Sequence, residues 1–209
     1  MTIYQLMQSR RSVRRFRRDM PDRELIEKLI AAAVTAPSAS NKQPWRFLVV
    51  ANAEVRTRLA TAVRGAVERV AAHIEPDFEN SFRAYGDYFV RFEDAPVVIV
   101  PLFRPLTLLS NMVDGELSAE SRHAIGVMER NSGIVSTSLA IQNLLLMAQE
   151  LGLGASGMTG PLVALGAVRE ILGVPPSWEV AAFIPIGFAD EKPAPKPRKA
   201  VERVVRWID

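Results

Sequence analysis

The chain has 209 residues, 48% of them hydrophobic, enough for one globular domain with a sizeable core and too few to expect a second. It has no cysteine, which excludes disulfides, thiolate catalysis and iron–sulfur ligation; its two histidines, His73 and His123, lie near no acidic cluster of ligand spacing, so no metal is expected. The 26 basic and 23 acidic residues leave a net charge of +3, and six of the basic ones are arginines between Arg10 and Arg18; without them 20 would face 23 and the sign would reverse.

At the N-terminus there is no apolar leader, so no secretory signal is expected, and the missing cysteines lean towards a cytoplasmic protein. Ile3, Leu6 and Met7 recur at helical spacing and predict a short helix that carries Arg10 and Arg11 at its end. The run RRSVRRFRR contains no acidic residue. Guanidinium groups are permanently charged forks that match phosphate and carboxylate oxygens, so the cluster predicts a bound anion, with Ser12 as a hydroxyl donor beside it. A solvated face, or pairing with carboxylates from elsewhere in the fold, stands as the alternative.

Leu25, Ile26, Leu29, Ile30 and Ala33 share one helical face, and Pro37 is expected to stop that helix. The loop Pro37 to Trp45, PSASNKQPW, offers amides and hydroxyls suited to a planar heterocycle, or is a plain surface turn. Phe47 to Val50 then predicts a strand buried on both faces. Val55 to Val70 follows as an amphipathic helix. Phe78, Phe82, Tyr85, Phe89 and Phe92 have helical spacing, and with Tyr88 make six of the chain's fifteen aromatics; most are expected in the core, with a stacking pocket wall as the sharper alternative.

Val97 to Val100 predicts a second buried strand, and residues 104–130 a mobile loop or lid. From Ser132 a nearly all-apolar central helix is expected, closed by Gly152 and Gly154 and either shared with a second subunit or enclosed in one core. Its serines, Thr137, Gln142 and Asn143 are too polar for a membrane span. The loop ASGMTGP, Ala155 to Pro161, lets backbone amides approach a ligand, while Met158 breaks the nucleophile-elbow pattern around Ser156. A helix over 162–172 and a strand over 180–184 come next, with Pro185 expected at a strand end or edge. Pro193, Pro195 and Pro197 make the tail an extended arm that ends in the apolar VERVVRWID. No dinucleotide or phosphate-loop fingerprint is present, and charge outside the cluster gives nucleic-acid binding little support.

RRSVRRF, APSASNKQPW, AIQNLLLMAQELGLG and PIGF followed by KPRKAVERVV, in this order, resemble the FMN-dependent nitroreductase family. The resemblance implies an α+β fold: a nitroreductase-like mixed, mostly antiparallel sheet flanked by helices, in an intertwined homodimer. Residues 1–209 would form one FMN-binding domain whose arm, 190–209, reaches the other subunit. It implies that Arg10, Arg11, Ser12 and Arg14 hold the FMN phosphate, ribityl chain and ring edge, and that Ser38, Asn41 and Gln43 reach the flavin, in part from the second subunit. Gly157, Met158, Thr159 and Gly160 would lie near the ring's N5, with a backbone amide as partner; Thr159 stands where one branch has a glutamate. Arg198, or else Lys196 or Lys199, would complete the phosphate site. No protein nucleophile is implied. The activity implied is ping-pong transfer of hydride from NADH or NADPH to nitroaromatic, quinone or similar flat acceptors. The alternatives are reductive dehalogenation, flavin fragmentation or flavin binding without turnover.

Overall fold

The run VVIVPLF, apolar at every position, forms strand β2 (Val97–Phe103), buried along its whole length. The computed structural model describes residues 1–208, and the sheet in it is built on β2. On one side lies β1 (Trp45–Val50), antiparallel and in register from Trp45 opposite Phe103 to Val50 opposite Val98. On the other side β4 (Glu179–Val180) pairs with Leu102 and Phe103, and β5 (Ile184–Gly187) pairs with Val97 to Ile99. Strand β3 (Gly154–Ala155) closes the order β1-β2-β5-β3, and a parallel bridge from Ser12 to Ala155 makes the otherwise antiparallel sheet mixed.

Successive side chains of a strand point to opposite faces, and β2 shows it. Val98, Val100 and Leu102 meet Leu59, Val63 and Val67 of α3 (Ala53–Ala71) and Val168 of α6 (Leu165–Ile171). Val97 and Ile99 meet Ile26, Leu29 and Ala33 of α2 (Arg23–Ala33) together with Ala140, Leu144 and Ala148 of α5 (Ala119–Glu150). Helices therefore cover both faces, as expected. Helix α1 (Ile3–Ser9) starts with a reciprocal cap between Thr2 and Gln5 and ends where the arginines begin.

Several expectations need correction. Strand β1 is an edge strand with Val49 44% exposed, so it is not buried on both faces. Helix α2 ends at Ala33, short of Pro37, because a turn already closes over Val34 to Ala36. Residues 104–130 are not one loop: α5 begins at Ala119, capped by the Ser118 hydroxyl, which accepts the Ser121 N–H. Nor is α5 enclosed all round, since Val127, Met128, Val135 and Leu139 stay exposed along one face. At its other end Gly152, with φ +72°, carries the left-handed turn in which Leu153 N–H reaches Ala148 O at 2.8 Å. Gly154 lies beyond this cap, in β3, where an added Cβ would meet Val13 at 2.7 Å. The helix expected over 162–172 starts as a tighter turn, Gly160–Ala164, ahead of α6. The strand expected over 180–184 is split into β4 and β5, and Pro185 lies inside β5 opposite Val98. The pairing skips a rung there: the register of Gly154 with Gly187 and Ala155 with Ile186 resumes only at Met158 with Phe183, so no bridge forms beside Pro185.

The start of the expected lid is pinned. Glu129, 3% exposed, accepts the N–H groups of Leu109 at 2.7 Å and Ser110 at 3.1 Å and the Ser110 hydroxyl. Burial opposes its ionisation, but the Ser110 hydroxyl and the amides of Ser110, Leu109 and Leu108 outweigh burial and hold its carboxyl below the ordinary glutamate range. Glu129→Ala, which strips the acceptor from these donors, should destabilise the fold by about 2–3 kcal/mol. Because the native pKa is lowered, the ionised form's contribution is full above the ordinary glutamate pKa and is lost as pH falls through the native value. The stability gap between wild type and Glu129→Gln, measured by urea unfolding, should therefore shrink as pH drops below about 4.

Candidate functional site

Beyond α1 the chain runs on without a helix, and Val13 and Phe16 are buried with Ala95 while the arginines stay nearer the surface. The segment is tied down twice. Val13 N–H donates to Ala155 O at 3.0 Å, and Arg17 N–H donates to Phe188 O at 2.9 Å beside the bridge between Phe16 and Ala189. Arg10, Arg11, Ser12 and Arg14 are half-buried, whereas Arg15, Arg17 and Arg18 are exposed.

Charge pairing does not absorb this cluster. Among the described residues its one ion pair is Arg17 with Asp19. Burial, and then the neighbouring charges of Arg198 and Arg11, pull the Arg10 guanidinium below the usual arginine range. Arg11 and Arg198 thus both stand close enough to repel Arg10. Arg11 differs in one respect: its Nη1 donates to Gln8 O at 2.6 Å and Arg10 O at 3.0 Å, capping the end of α1.

Next to the arginines, Arg14, Lys196 and the loop Gly157 to Gly160 line a cavity of about 390 Å³ with Tyr85, Tyr88 and Phe89. The loop is anchored where Met158 and Phe183 exchange backbone hydrogen bonds of 2.9 and 2.8 Å, which buries Met158 and leaves Gly157 and Thr159 exposed on either side. Among the described residues the amides of Gly157 and Thr159 have no protein acceptor. An added Cβ on Gly160 would run into the Phe89 ring, so the cavity floor lies close against its aromatic wall. Ser156 is fully buried, in keeping with the absence of a hydrolase pattern.

The aromatic segment is therefore the main site feature that sequence reasoning placed wrongly. Only Phe92 is fully buried; Phe82 and Phe89 pack at the core's margin, and Phe78, Tyr85 and Tyr88 are 64%, 63% and 54% exposed. Helix α4 (Pro76–Gly86) passes at Asp87 into a tighter 3-10 stretch that carries Tyr88, Phe89 and Phe92. The Arg14 guanidinium carbon sits 6.0 Å from the Tyr88 ring centre.

Ser38, Asn41 and Gln43 are not brought to this cavity. Their loop is closed on itself, Gln43 N–H donating to Ser38 Oγ at 3.0 Å and Gln43 Nε2 to Asn41 Oδ1 at 3.3 Å. Ser40, Asn41 and Gln43 have φ of +50°, +50° and +45°, left-handed values that cost non-glycine residues about 1 kcal/mol or more each and cluster at functional sites. Ser38 lines a separate groove of about 820 Å³ along α5, with His123, Val127, Asn131 and Val135. In the tail, Val201, Val204, Val205, Trp207 and Ile208 are exposed, while Asp209, the arm's last residue, lies outside the described residues. No described helix is long and apolar enough to cross a membrane, and no described cluster could hold a metal ion.

A model of the nitroreductase family matches residues 7–188. The chain is 30% identical over 213 residues to a protein of Thermus thermophilus named NADH dehydrogenase, covering 95% of this chain and 92% of the relative. Among solved structures, a BluB-like flavoprotein from Clostridium difficile 630 covers the whole of both chains with a TM-score of 0.86 at 23% identity. An iodotyrosine deiodinase bound to FMN and 3-iodo-L-tyrosine does so with 0.75 at 22%. At those identities the two structures show the shared fold. The family match takes in the arginine segment, both polar loops and β5, and the relative extends the likeness over nearly the full length, so the chain belongs to the nitroreductase family.

Proposed function

We propose that the protein is an FMN-dependent oxidoreductase that takes hydride from NADH or NADPH and reduces nitroaromatic, quinone or similar flat acceptors in ping-pong order. The observation that carries this reading is the cavity in which Arg14 and Lys196 meet a glycine loop with free amides, at the end of an arginine segment where Arg11 and Arg198 repel Arg10. Like charges assembled at a cost fit an anionic ligand with a flat body, and FMN joins a phosphate to a planar ring. The relative's name supports a nicotinamide donor, and one structural neighbour is bound to FMN.

When bound, FMN supplies two-electron redox chemistry between nicotinamide and acceptor. Arg10 and Arg198 hold its phosphate by charge-assisted hydrogen bonds, with Ser12 as a hydroxyl donor and Lys196 and Lys199 as further tail cations. Arg11 adds charge while it caps α1. Arg14, which lines the cavity, would offer a cation to the edge of the flavin ring. The loop Gly157, Met158, Thr159 and Gly160 would face the ring near N5, where the amides of Gly157 and Thr159 are free to donate. Tyr85, Tyr88 and Phe89 exclude water and stack on flat acceptors.

The chain acts as one domain that pairs with a second copy. Pairing would bring Ser38, Asn41 and Gln43 of one copy to the arginine and glycine residues of the other, and cover the exposed stripe of α5 and the apolar end of the 190–209 arm. These exposed surfaces, and the separation of the two residue sets in one chain, support the pairing. The cytoplasm is the proposed compartment, with no membrane or nucleic-acid partner.

Initial rates measured with varied donor and a quinone acceptor should give parallel reciprocal plots, since one site serves both in turn. Intersecting lines would contradict the ping-pong order.

A further inference from the structure

Two acidic side chains meet the arginine segment, and they behave differently. Asp19 neutralises the exposed Arg17. Glu191 leaves every guanidinium alone: its Oε1 accepts the backbone N–H of Arg14 at 2.5 Å and of Arg15 at 3.0 Å. The contact is embedded in a larger tie, in which Asp190 N–H donates to Arg15 O at 3.0 Å and Arg15 Nη2 donates to Asp190 O at 3.2 Å.

We propose that Glu191 is the positioning residue of the arginine site: by chelating two successive amides it fixes the direction of the cluster and the root of the tail, and leaves the guanidiniums free for a phosphate. This rests on the FMN reading above. The segment is bridged to Ala155 at Ser12 and to Ala189 at Phe16, so Arg14 and Arg15 form the span between two anchors. A carboxylate on this span holds it without consuming a cation. A carboxylate in an ion pair with Arg10 or Arg14 would instead compete with the ligand. Glu191 also begins the stretch that delivers Lys196 to the cavity and Arg198 to Arg10, so one side chain sets both halves of the cationic site.

Three variants separate position from charge. Glu191→Ala removes the acceptor, Glu191→Asp keeps the charge but withdraws it by one methylene, and Glu191→Gln keeps an acceptor oxygen without charge. The readouts are FMN affinity relative to riboflavin, which lacks the phosphate, and hydrogen exchange of the peptide that contains Arg14 and Arg15. Alanine and aspartate should lower the FMN-to-riboflavin ratio by about tenfold and speed exchange at these amides, while glutamine stays within about threefold of wild type. A wild-type ratio in Glu191→Ala, or in Glu191→Asp should the alanine variant not fold, would overturn the proposal, as would unchanged exchange. If the wild-type protein takes up neither flavin, the proposed function fails on its own, and the exchange of the two amides still decides whether Glu191 holds the segment.

Discussion

Arg10→Ala and Arg198→Ala should each weaken FMN binding by about 10-fold to 100-fold, and together by about 100-fold to 10,000-fold, without lowering the stability of the flavin-free protein. The affinity loss follows from charge-assisted hydrogen bonds worth about 1.5–3 kcal/mol each, at about 1.4 kcal/mol per tenfold. The sign of the stability effect follows from Arg10 itself, whose charged form is disfavoured in the fold by burial and then by Arg198 and Arg11. Removing a cation that the native state tolerates poorly costs nothing in the absence of an anion. Most arginine substitutions that remove a binding contact also remove a structural one, so the combination of lost affinity and kept stability is diagnostic. Arg18→Ala is the control: Arg18 is exposed, and screening should keep its effect within about threefold. Fluorescence titration of FMN and thermal melts of the apoprotein measure both halves. Loss of stability in Arg10→Ala with unchanged FMN affinity would mean that the cluster is structural.

Gly133→Ala should destabilise the fold by about 2 kcal/mol. A Cβ at Gly133, buried in the middle of α5, would collide with the carbonyl oxygen of Arg104, and would stand 3.1 Å from its carbonyl carbon and 3.3 Å from Phe103 Cδ2. Two of these three atoms are backbone at the end of β2, which cannot swing aside as a side chain can. Overpacking of this kind costs about 3 kcal/mol, against about 1 kcal/mol gained by replacing glycine in a helix, so the collision wins. Thermal unfolding should fall by about 4–8 °C for a chain of this size. Gly126, in the same helix, has nothing within 4 Å of a built Cβ, and Gly126→Ala should raise stability by up to about 1 kcal/mol. Opposite signs at two glycines of one helix would show that close approach of α5 to β2, and not helix propensity, sets the position of the helix that carries the groove beside Ser38.

Elements whose burial follows a simple period were legible in the sequence. Strand β2 is apolar at every position because both its faces are covered, and α2 shows its inner stripe at Ile26, Leu29 and Ala33. The Gly152 turn was legible because a left-handed residue is needed there. Residues 119–131 hid half of α5, since the side chains that start the helix are polar or exposed and the one deeply buried among them is a glutamate. Ser118 ahead of Glu120 was the available cue, a cap followed by an acidic first turn. Pro185 misled because a sheet can skip a rung: pairing beside β5 runs to Ala155 with Ile186 and resumes in the same register at Met158 with Phe183, with no bridge beside the proline.

At the site, the arginines announced themselves by composition, and the glycine loop by its residue types. What composition cannot convey is which cations share a locality. That Arg198 stands by Arg10, that Lys196 joins Arg14, and that Glu191 is spent on two amides all depend on where the tail is anchored. Tyr85 was visible as part of an aromatic stripe whose helical spacing suggested the core, with Tyr88 beside the stripe; both are exposed and, with Phe89, line the cavity. Asn41 and Gln43 were legible as polar loop residues, whereas their left-handed φ values appear only in three dimensions.

The most direct test is the visible absorption spectrum of the purified protein after incubation with FMN and removal of the excess, recorded without oxygen before and after addition of NADH or NADPH. The expected result is a retained flavin spectrum that bleaches with one or both nucleotides and returns on addition of a quinone. A protein that emerges colourless, or whose flavin bands survive both nucleotides, would contradict the proposed oxidoreductase.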